Sequence, residues 1–204
     1  MSDKTIPEIK EAFASSGASA LNRYHERFAE IAQERQPEAG SYLDRLTDEQ
    51  RVSLLREQKT ERAGGITQRA REDYAAEVER YHVELSKRAD YLKGRLFKVE
   101  DAGALSRAAL ATDAELGTML ELAAHAGNAE LGRAVFVASE QRGLGNLMAA
   151  FFDRIDPDGR ELYEENAEIP PPEILERQTD SVETLIPEPD PERLMLGFLA
   201  RATT

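Results

Sequence analysis

From Ile66 to Glu100 the chain keeps one helical pattern, interrupted only by Gly94. At 1.5 Å per residue such a stretch makes a rod of about 50 Å. Few compact β or α/β folds accommodate that. Val78, Leu85, Leu92 and Val99 fall seven apart, which places them on one side of the rod. Tyr74 and Tyr81 share a second heptad position, later taken by Arg88 and Arg95. The seam starts apolar and turns basic, unlike the continuous a/d seam of an isolated coiled coil. The spacing therefore predicts a long helix packed on its own neighbours or on a partner.

Those neighbours read as helices too. Thr5 and Pro7 open a short first helix that Gly17 is expected to end. Leu21, Tyr24, Phe28 and Ile31 form the next apolar stripe, closed by Pro37 and Gly40. Thr47 and Gln50 have the spacing of a capping box, and the helix they start is expected to stop at Gly64-Gly65. Residues 101–155 are richer in Ala and Gly. A second capping box, Thr112 to Glu115, starts a helix that stops at Gly127. Asn128 caps another, which stops at Gly143, and Gly145-Asn146 lead into a third over Leu147–Phe152. The run Val135-Phe136-Val137 has strand-like residues but helical flanks.

The last quarter differs in composition. Residues 156–204 hold 13 acidic residues against four arginines, and seven of the nine prolines. Residues 1–155 are nearly balanced, with 22 basic and 26 acidic side chains. Glu161–Asn166 suits a helical turn or two, and Ile169–Thr184 an extended chain with one helical turn at Glu173–Arg177. Asp190-Pro191-Glu192 suits the start of a terminal helix. A Pro-rich acidic stretch buries too little apolar surface to order itself. The expected organisation is thus a helical body at 1–155 (N-terminal helices 1–64, long helix 66–100, short Ala/Gly-rich helices 101–155). An extended acidic arm at 156–204 carries an apolar tip. The fold class is all-α, a helical bundle with one long central helix.

Charge and composition narrow the function. The net charge is -13, and neutralising nucleic-acid phosphate takes clustered Lys and Arg, so direct nucleic-acid binding is not expected. The chain has no Cys, which removes disulfides, thiolate metal sites and a cysteine nucleophile. The Met1–Thr5 start lacks the apolar core of a secretory signal, and no apolar run nears the roughly 20 residues of a membrane span. A cytoplasmic or virion-associated location is expected.

No constellation reads as an active site. Glu79 and His82 have the E-x-x-H spacing of di-iron bundles, but the motif occurs once, and Glu121 with His125 is a looser match. His25, His82 and His125 fall on separate helices. Residues 154–165 resemble a calcium loop in spacing, with Asp156, Asp158, Gly159 and Glu165, but Arg154 takes the first ligand position and Pro157 stiffens the loop. No cofactor, metal ligand or catalytic residue is expected. Two interaction surfaces are. One is the apolar tip, where Leu194, Met195, Phe198 and Leu199 share a helical face. The other is the basic end of the long helix, Lys87, Arg88, Arg95 and Lys98, which suits an acidic surface, the chain's own arm included.

The segment Leu120-Glu121-Leu122-Ala123-Ala124-His125-Ala126-Gly127-Asn128-Ala129-Glu130-Leu131-Gly132-Arg133-Ala134-Val135, with Gln141-Arg142-Gly143 after it, resembles helical hairpins in small proteins of actinobacterial phages and prophages. The resemblance implies a particle-associated structural role, as a connector, tail-associated or scaffolding component. The expectation is a non-enzymatic structural or assembly protein that forms homo-oligomers or docks on other assembly components. The competing readings are a free-standing helical adaptor or regulator that binds through its C-terminal arm, and a metal-carboxylate enzyme.

Overall fold

The computed structural model of the chain describes residues 4–33 and 45–195. These form helices α1 (Ile6–Gln33), α2 (Asp48–Phe97), α3 (Ala102–Leu110), α4 (Asp113–Ala126), α5 (Ala129–Gln141), α6 (Gly145–Arg154), α7 (Gly159–Ala167), α8 (Pro172–Asp180) and α9 (Val182–Leu185). Residues 191–195 add a helical turn, and no strand occurs among the described residues. The fold is all-α, as the periodicity predicts. Two compact units divide it. Unit 1 joins the N-terminal residues up to Glu8 to Glu84–Ile169, and unit 2 joins Ile9–Val83 to the chain from Pro170 onward.

The long helix is longer than expected. It begins behind the Thr47 capping box, where the Thr47 N–H donates to Gln50 Oε1 at 3.0 Å and the Gln50 N–H to Thr47 Oγ1 at 3.3 Å. It then runs 50 residues to Phe97. The expected stop at Gly64-Gly65 does not occur. Two glycines cost a helix about 1 kcal/mol each, but Ala63 and Thr67 beside them are buried, and Ala63 packs with Ile31 of α1. Tertiary packing outweighs the local penalty. The same holds at Gly17. Helix α1 continues through it, because there it packs on α2: a Cβ at Gly17 would sit 3.3 Å from the Tyr74 ring. The expected closure at Pro37 and Gly40 lies outside the described residues.

In unit 2, α1 and α2 form an antiparallel hairpin. Phe13 stacks on Tyr81 at 4.5 Å, Tyr24 clusters with Ala70 and Ile31 with Ala63. Lys59 Nζ donates to the Ala32 carbonyl at 3.2 Å. Position numbers rise on one helix as they fall on the other.

The chain after Ile169 is not extended there. Helices α8 and α9 occupy most of the stretch, and Val182 and Ile186 are buried. Ile186 joins the Tyr24–Ala70 cluster, and Leu194 joins Ile31 and Ala63. Arg71 fixes the register: Nε donates to the Ile186 carbonyl at 2.9 Å and Nη1 to Glu188 Oε1 at 2.7 Å. The Asp190 carboxylate accepts from the Glu192 N–H at 2.9 Å and starts the turn that carries Leu194 inward. The expected extended arm is corrected to helices here: Ile186 and Leu194 pack on residues of the chain's own hairpin, while Ile174 and Leu185 stay exposed.

Unit 1 is a cluster of short helices around α5. Phe136 is fully buried. It stacks on Phe97 and Phe151, with centroids 5.7 and 4.9 Å away, and meets Phe152 and Tyr163 edge-on. The Val135-Phe136-Val137 run is thus helix interior. Thr112 and Glu115 form the second capping box, and the Asn128 side chain accepts from the Leu131 N–H at 3.0 Å. Gly127 ends α4 at φ 62°, a left-handed conformation that costs other residues roughly 1–2 kcal/mol. Gly132 lets α5 approach the end of α6: a Cβ there would lie 2.6 Å from Ile155 Cδ1.

Two details depart from the sequence reading. Helix α3 was not anticipated, although Asp101 caps it by accepting from the Ala104 N–H. Helix α6 ends at Ile155 without a glycine.

Candidate interaction surface

The helical register of α2 dictates what becomes of the basic cluster. Val78, Tyr81, Leu85 and Leu92 are all buried. Arg88 lies seven residues after Tyr81, on the same inward stripe, so its guanidinium is turned from water. A cation in that position needs a carboxylate with matching geometry. Glu165 of α7 supplies it. Arg88 Nε donates to Oε1 at 2.9 Å and Nη2 to Oε2 at 2.6 Å, and the two side chains are 11% and 12% exposed. The backbone N–H of Ile6 donates to the same Oε1 at 2.7 Å. One carboxylate, in the last turn of α7, therefore ties the start of α1 to α2.

Burial alone raises the pKa of Glu165. The hydrogen bonds from Arg88 and the Ile6 N–H outweigh it and hold the carboxyl below its ordinary 4.5. Donating to Glu165 likewise raises the pKa of Arg88, which also lies 5.0 Å over the Tyr91 ring.

The other three cations are also engaged. Arg95 pairs with Asp156 at 3.6 Å, Lys87 with Glu84 at 2.9 Å and Lys98 with Glu100 at 3.0 Å. The geometry puts Arg88 and Arg95 on acidic residues of the chain's own 156–169 segment. The apolar tip divides similarly. Leu194 and Met195 are 0% and 1% exposed, so they are covered by their own chain. Phe198 and Leu199 lie outside the described residues.

The candidate chemistry does not assemble. Glu79 and His25 are exposed, and His82 is half-buried. Glu121 of the Glu121/His125 pair is held by Arg154, the residue at the first position of the calcium-like loop. Asp156 and Glu165 of that loop are engaged by Arg95 and Arg88. Among the described residues, no group of three or more His, Asp and Glu could hold a metal ion, and no helix is long and apolar enough to cross a membrane.

The surface that sequence reasoning missed lies on α3 and α4. Leu110 is 88% exposed and Leu122 59%. Between the helices is a shallow hollow of about 490 Å³, lined by Arg107, Leu110, Ala111, Glu115, Thr118 and Met119. Leu122 follows Thr118 by four residues and Met119 by three, so it extends the same stripe. The available signal was the position of Leu122 one place off the Leu116–Leu120–Ala123 core stripe.

No protein-family model, curated protein or solved structure matches the chain.

Proposed function

We propose that the chain is a non-enzymatic structural or assembly protein that works by docking on protein surfaces, second copies of itself included. The observation that carries this is the exposed leucine face of α3 and α4 on an otherwise well-packed unit. Monomeric proteins expose single apolar residues freely, but an exposed leucine lining a hollow, with a second on the adjoining helical stripe, favours a partner. The resemblance of 120–143 to helical hairpins of phage and prophage particle proteins supports a place in a virion or its assembly, as a connector, tail-associated or scaffold-like component. The alternative, an adaptor acting through its C-terminal arm, loses support because Leu194 packs with Ile31 and Ala63 of the hairpin and Met195 is buried. The test is native mass by light scattering of the full 22.7 kDa chain. Multiples of that mass that grow with concentration are expected. A single-chain mass at every concentration contradicts self-assembly.

A further inference from the structure

The leucine face has a partner written into its charges. Its own fold does not need these leucines: α3 buries Ala104 and Ala108, and α4 buries Leu116, Leu120 and Ala123. The carboxylates around them are mostly neutralised within the chain. Asp113 pairs with Arg142 at 3.2 Å and Glu121 with Arg154, while the long 3.9 Å contact to Asp101 leaves Arg107 largely exposed. The face then offers an incoming molecule one cation and one carboxylate, Arg107 and Glu115, rather than a field of one sign. Two copies of a chain with net charge -13 repel over most of their surface, and can approach only where charge is locally balanced. This face is such a place.

The hollow is also self-complementary. Arg107 and Glu115 line it together. Two side chains of opposite charge in one hollow are what a two-fold contact can pair crosswise, the Arg107 of each copy with the Glu115 of the other. Glu115 spends Oε2 on its cap, accepting from the Thr112 N–H at 2.6 Å, and those hydrogen bonds keep its pKa low and the group charged. Leu110 lines the hollow and stands almost wholly in solvent, so it is available to cover apolar surface of a second copy. Resting on the proposed self-assembly, we infer that the α3–α4 face is an isologous contact between two copies of this chain. The 14-residue α4 spans only about 21 Å. The contact is therefore smaller than the ~800 Å² per partner of a standard interface and forms reversibly as concentration rises.

Sedimentation equilibrium of the full chain, from micromolar to near-millimolar concentration, tests this with Leu110→Lys and Leu122→Lys. Both positions are exposed, so the fold tolerates them. Each is expected to weaken association about tenfold, and the double variant to stay monomeric. A chain without Cys allows a second readout. Under mild oxidation Leu110→Cys is expected to give a covalent dimer faster than Leu185→Cys, an exposed leucine elsewhere. Wild-type association in the double lysine variant, or equal crosslinking of the two thiols, overturns this face and leaves self-assembly standing. A monomeric wild-type chain overturns both.

Discussion

Phe136→Ala is expected to cost unit 1 about 4 kcal/mol, the upper part of the range for an aromatic removed from a closed core. Four aromatic rings converge on this side chain. They belong to α2, α6 and α7, so no single element can collapse into the space. Natural domains have only about 5–15 kcal/mol to lose. The variant should keep helical far-ultraviolet dichroism at low temperature while its urea midpoint falls sharply. Phe136→Leu, which retains most of the volume, should cost about 1.5 kcal/mol or less. An unchanged midpoint for the alanine variant would mean that α5 is not the centre of this unit.

The second large effect is expected at the Arg88–Glu165 pair. Glu165→Gln leaves a guanidinium facing a neutral amide in a site nearly closed to water, and should cost about 3 kcal/mol. Arg88→Met alone should cost about as much. Combined as Arg88→Met with Glu165→Leu, the two should cost clearly less than their sum, since no buried charge is left unpaired. The Ile6 N–H still loses its acceptor in that variant, so a residual cost remains. Acid has a related effect. Glu165 binds its proton more weakly folded than unfolded, so its contribution is complete above the ordinary carboxylate pKa. It is lost as pH falls through the lowered folded value. Wild-type stability should therefore drop on the acid side more steeply than that of Glu165→Gln. Parallel pH profiles, or additive single variants, would remove the pair from the account.

What was legible in the sequence was local. The Thr47–Gln50 and Thr112–Glu115 capping boxes, the Asn128 cap, the Gly127 stop and the Asp190 start depend on side chains three or so residues from the backbone they serve. The errors have a common cause. Gly17 and Gly64-Gly65 punctuate a helix only when its apolar face is unsupported, and here α1 and α2 support each other across tens of residues. The same distance hid the owner of the apolar tip. Ile186, Leu194 and Met195 look alike whether their groove belongs to a partner or to Tyr24, Ala70, Ile31 and Ala63 of the same chain. Phe136 shows no periodicity that distinguishes it from Val135 and Val137, because nearly all of α5 is enclosed. Leu110 was invisible as a surface because its exposure follows from how α3 lies on α5, whereas Leu122 showed only in lying one place off the core stripe of α4. The register of Arg88 behind Tyr81 was readable, whereas the identity of Glu165, 77 residues on, required the fold.

The central claim is that the acidic C-terminal segment serves its own chain, closing the α1–α2 groove rather than reaching for another molecule. Amide hydrogen exchange on the full chain, at a dilution where its mass is that of one copy, tests this most directly. The amides of 185–186 and of Leu194 donate to the carbonyls of Ser181, Val182 and Asp190, and the side chains of Ile186 and Leu194 are buried. The account predicts that these amides are protected alongside those of the hairpin. Free exchange there, with the hairpin itself protected, would show that the segment stands off its groove, and would return the apolar tip to service as a docking surface.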